Sequence, residues 1–216
     1  MKVTASTSEF YQAEHDLLES ASEISSTHKS PALNKPQSSI NPSPQKTQSP
    51  ESAVDAKDAI RSSANFSSMV LNSYISDLDD VDLMRRPGEG CNHLAWQLGH
   101  LISSEVQLLE SVAPGQSIEL PNGFAEAHSK EQTGNDDPSA FQTKKGYQTL
   151  YEQVRSATLA ALDAYPESDL DKPAPESFRS FCPTVGDMFT LIATHPMMHA
   201  GQFAVVRRQL GKPILM

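Results

Sequence analysis

From about residue 58 the chain carries apolar side chains at alternating spacings of three and four, and four such stretches follow one another. The first holds Ile60, Ala64, Ser67, Leu71, Tyr74 and Leu78, the signature of an amphipathic helix, and fades before the turn cluster Arg86-Pro87-Gly88-Glu89-Gly90. The second spans about 92–112 and has Leu94, Leu98, Leu101, Leu108 and Val112 as its main stripe. Ala95, Trp96 and Ile102 widen its first half almost all the way round, and a helix apolar on most sides is buried on most sides. Pro114-Gly115 stops it. The third opens at Asp137-Pro138, a cap candidate followed by proline, and runs through Tyr147, Leu150, Tyr151, Val154, Thr158, Leu162 and Tyr165 to Pro166. The fourth begins at Thr184, with Asp187 completing a capping-box pattern, and ends before Gly211 and Pro213. Its seam is Met188, Ile192, His195, His199, Gln202 and Val206, widened by Phe203 and Leu210.

The pattern predicts an all-α fold, a four-helix bundle over 58–216. Residues 114–137, between the second and third helices, are longer than an antiparallel turn needs. They suggest a crossover along the bundle, with Phe124 and His128 folded over one end. The alternative is a cover for an active site. Residues 1–57 contain no glycine and only two aromatics, Phe10 and Tyr11, and are dominated by Ser and Pro from 22 to 52. Such a segment buries too little apolar surface to offset its ordering entropy, so a disordered N-terminal tail is expected.

The charge balance narrows the function. With 17 basic and 27 acidic side chains the net charge is −10, which disfavours a nucleic-acid or anionic-membrane partner. There is neither a secretory signal nor an apolar run of membrane-spanning length, and the two cysteines, Cys91 and Cys182, form no C-x-x-C unit. Free thiols in a cytoplasmic protein are the plainest reading. Oligomeric state is left open, although bundles with wide apolar helices often pair as homodimers.

The candidate chemistry lies in the fourth helix. His195 and His199 are four residues apart, which places both imidazoles on one inward face, where two rings can share a divalent metal. Pairs at this spacing are also often packed or exposed without metal. His100, enclosed in the second helix, is the best third ligand. Pro196 sits between the pair, removes an amide donor and should kink the helix, leaving the Ile192 carbonyl without its usual partner.

Weaker candidates surround these three. His93 lies two turns before His100 and offers a hydrogen bond to a ligand or an acid/base group, or an ordinary first-turn residue. Gln202, one turn beyond His199, offers a hydrogen bond at the site or plain helix packing. Glu105, on the apolar seam, needs a partner such as a ligand histidine or Arg155. Cys91 and Cys182 near helix N-termini and Arg207 and Arg208 near a C-terminus fit structural roles.

Trp96-Gln97-Leu98-Gly99-His100-Leu101 followed by His195-x-x-x-His199-Ala200-Gly201-Gln202 resembles the DinB-like superfamily over about 58–216. The resemblance implies a metal held by His100, His195 and His199, usually zinc, nickel or manganese, and in some members chemistry with a low-molecular-weight thiol. It further implies that Gly201 permits close helix approach and that Gln202 lies near the site. Pro196 departs from the expected second motif. No His-Glu-x-x-His, phosphate-loop, dinucleotide or Gly-x-Ser-x-Gly pattern is present. Three readings follow: a metal-dependent enzyme acting on a small molecule, a non-catalytic metal-binding stress or sensor module, and a metal-free interaction bundle.

Overall fold

The computed structural model describes residues 54–214. Most of the expected tail over 1–57 therefore lies outside the described residues, but the first helix begins earlier than the apolar pattern does. Asp55 accepts the Asp58 amide at 2.8 Å and caps helix α1 (Ala56–Ile75). After it come the one-turn α2 (Asp80–Leu83), α3 (Leu94–Val112), the one-turn α4 (Phe124–Ala127), α5 (Lys144–Ala164) and α6 (Val185–Gln209). Among the described residues there is no strand, only an isolated bridge between Pro173 and Thr184.

The four long helices share one core that includes Leu71, Tyr74, Leu98, Leu101, Tyr151, Val154 and Phe203. Each buried large apolar side chain adds roughly 1.5–3 kcal/mol. Every residue from 94 to 102 is buried, as the all-round apolar pattern requires. Thr184 and Asp187 form the predicted capping box at the start of α6.

Specific contacts set the helix directions. Ser67 Oγ donates to the Ala193 carbonyl and Arg207 to that of Tyr74, so α1 and α6 run parallel. Lys57 reaches the Asp163 carbonyl and Lys144 that of Ser76, so α5 runs antiparallel to α1. Gln97 meets His199, while Arg155 joins Glu105 to Ile192, so α3 opposes α6 and lies parallel to α5. Parallel neighbours cannot be joined by a tight turn. The chain after α3 must travel back along a 19-residue helix, a rise of about 28 Å, which accounts for the long connection.

That connection is packed down. Phe124 and His128 are buried, and a Cβ on Gly99 would lie 2.0 Å from Cδ2 of His128. The glycine that admits a close approach is therefore Gly99; Gly201 is exposed and faces open space, contrary to expectation.

One local expectation also needs correction. Asp137-Pro138 opens only a single 3-10 turn (Pro138–Ala140), after which Phe141 is extended and Thr143 caps α5. Phe141 is held against the rings of His93 and His128, so a helix cannot continue through it. Pro196 lies inside an unbroken α6, and the Ile192 carbonyl that it leaves is approached by Arg155 Nη2 at 3.4 Å. A charged donor from α5 takes the position of the missing amide.

Candidate metal centre

His100 from α3 and His195 and His199 from α6 converge in the interior. They are 8 %, 3 % and 3 % exposed, and one nitrogen from each lies within 4.8 Å of the others. Their ring centroids are 5.0–5.5 Å apart. The Nε2 atoms of His195 and His199 are separated by 3.3 Å. Two ligands of a tetrahedral ion bound at 2.0–2.1 Å are also about 3.3 Å apart.

The ring orientations follow from their neighbours. Gln97 Nε2 donates to the Asn92 carbonyl at 2.7 Å, which turns Gln97 Oε1 toward His199 Nδ1 at 2.9 Å. His199 must then carry its proton on Nδ1 and present the Nε2 lone pair to the centre. This is the support that metal-binding imidazoles ordinarily receive. His100 stacks on Trp96 at 5.0 Å and 8°, and Ser104 Oγ is 3.5 Å from both of its nitrogens.

Burial also sets the protonation state. It lowers His100 to about 4, helped by His128, and His199 to about 3, helped by His100. His195 falls well below its ordinary value through burial, then the charges of His199, His100 and Arg155. All three rings are neutral at pH 7, the form that ligates. A donor set of neutral, convergent imidazoles with one ring oriented by an amide fits a divalent ion.

The other candidates lie elsewhere. His93 caps α3: its Nδ1 accepts the Trp96 amide at 3.0 Å and its Nε2 donates to the Asn135 carbonyl at 3.0 Å. Gln202 is half-buried, and the amide that meets His199 is Gln97. Gln97 went unnoticed in the sequence, although a polar residue within an apolar turn must find a partner. Glu105 pairs with Arg155 at 2.9 Å and accepts from Thr158 at 2.7 Å. Cys91 is half-buried, Cys182 is buried, and neither is in a disulfide. Arg207 is buried against Asp77 and the Tyr74 carbonyl, whereas Arg208 is exposed.

The family model of the DinB superfamily matches residues 66–203, and no curated protein matches the chain. The match takes in both histidine segments, all of α3 and α5, and parts of α1 and α6. The chain belongs to the DinB superfamily.

Proposed function

We propose that this DinB superfamily member is a metal-dependent enzyme that holds zinc, nickel or manganese through His100, His195 and His199 and acts on a small molecule with a low-molecular-weight thiol. The observation that carries the reading is the 3.3 Å approach of two imidazole Nε2 atoms, one of them fixed as a lone pair by Gln97. Without a cation, a ring nitrogen held in that state has only its neighbour's proton to meet.

An ion bound by three neutral imidazoles keeps its full charge, polarises a carbonyl and holds a thiol as thiolate, the nucleophilic form. The protein's own residues supply placement and a dry surround. Gln97 locks the His199 tautomer, Trp96 covers one face of His100, and Pro196 leaves the Ile192 carbonyl to Arg155. No carboxylate belongs to the triad, so proton transfer falls to the substrate, the thiol or the imidazoles.

The complete burial of the three rings also supports a second reading, in which the ion is structural and nothing turns over. As to assembly, Phe66 and Met69 on α1 and Met197, Met198 and Val205 on α6 are exposed apolar residues on adjacent helices, which supports a homodimer. Elemental analysis of the purified protein tests the metal, and turnover assays with thiol cofactors in that metal form test the enzyme. One ion per chain with thiol-dependent turnover is the expected result. One ion without turnover would leave the structural reading, and no ion would contradict both.

A further inference from the structure

The two buried arginines use their donors differently. Arg207 uses all three of its nitrogens: Nε donates to the Pro213 carbonyl, Nη1 to the Tyr74 carbonyl and Asp77, and Nη2 to Asp77. Arg155, only 5 % exposed, crowds every contact onto Nη2, which meets Glu105 Oε2 at 2.9 Å, the Tyr151 hydroxyl at 3.1 Å and the Ile192 carbonyl at 3.4 Å. Its Nε and Nη1 are buried with no hydrogen-bond partner. Three N–H bonds of a guanidinium are thus idle in the interior, where unmade bonds to a charged group are costly.

Their location gives them a use. Ile192 is about one turn before His195 on α6, and Glu105 lies on α3 about a turn and a half beyond His100. Arg155 therefore contacts both ligand-bearing helices, and its charge acts on His195. Charge points the same way. Glu105 is already engaged by Arg155 and the triad is neutral, so a divalent ion would add positive charge to a buried site.

We propose that Arg155 receives the carboxylate of the small molecule bound at the three-imidazole centre, through Nε and Nη1. The ligand class is a compact carboxylic acid that carries a second donor atom for the ion. The assignment rests on the metal-dependent reading above.

The test uses the full chain loaded with cobalt(II), titrated with 3-mercaptopropionate and with 2-mercaptoethanol, following the visible thiolate-to-cobalt absorption. The carboxylate-bearing thiol is expected to bind about tenfold or more tightly than the neutral one. In Arg155→Met combined with Glu105→Leu, which strands neither charge, that preference disappears while cobalt is retained. Arg155→Lys keeps the ion pair without the two idle donors and loses the preference too, so it decides the matter should the double variant fail to fold. Equal binding of the two thiols by the wild type, or a preference that survives in the variants, overturns the role of Arg155 alone. A wild-type chain that takes up no cobalt overturns the metal-dependent reading and this assignment with it.

Discussion

Five buried histidines divide into two groups that burial alone does not separate. His93 and His128 lie where the long connection meets α3, whereas His100, His195 and His199 lie between α3 and α6. Desolvation lowers all five, His128 and His100 alike to about 4. The difference is in where the nitrogens are spent. His93 accepts from Trp96 and donates to Asn135. The Gln142 amide donates to the Tyr147 hydroxyl, which then donates to His128 Nε2, while His128 Nδ1 donates to the Phe124 carbonyl. In the other group two Nε2 atoms face each other at 3.3 Å. A depressed pKa thus marks a buried ring, and ring nitrogens turned toward one another mark a candidate ligand set.

The largest expected effect separates the groups outright. His100→Ala, His195→Ala and His199→Ala each lose the bound metal, measured by elemental analysis against a folded far-UV spectrum. His93→Ala and His128→Ala retain it. Acid should then act on both groups together. A ring at about 4 in the fold and 6.5 when unfolded leaves stability intact above 6.5 and loses it as pH falls toward 4. The loss for His100 and for His128 is on the order of 3 kcal/mol each, read as a falling denaturation midpoint of the metal-free protein.

Smaller changes sharpen the contrast. Gly99→Ala puts a methyl group into the His128 ring and costs about 2 kcal/mol, seen by chemical denaturation. Gln97→Ala frees the His199 tautomer and weakens zinc binding about 10- to 100-fold in competition with a chelator. His93→Ala removes a cap and costs about 1 kcal/mol with zinc affinity unchanged.

Much of this was legible in one sequence because the signals were periodic. The seams of α1, α3, α5 and α6, the capping box at Thr184 and the inward placement of His195 and His199 all follow from spacing. The need of Glu105 for a partner followed from the cost of a lone buried carboxylate, although spacing did not choose Arg155 over a ligand histidine. What was not legible depends on residues far apart in the chain. Gly99 rather than Gly201 admits the close neighbour because His128 returns through the crossover. That a guanidinium from α5 reaches the carbonyl Pro196 leaves at Ile192 could not be read from spacing. Asp137-Pro138 is a sound start signal that Phe141 overrides once it is packed between two histidines. Gln97 could have been singled out, since an amide amid Leu94, Leu98 and Leu101 has to be paired.

The most direct measurement is the 15N spectrum of the five imidazoles as one equivalent of zinc is added to metal-free protein. The Nε2 resonances of His195 and His199 and one nitrogen of His100 should shift together, with His93 and His128 unchanged in shift and tautomer. Unmoved resonances throughout, or shifts that fall on His93 or His128 as well, would contradict the division on which this account of the protein is built.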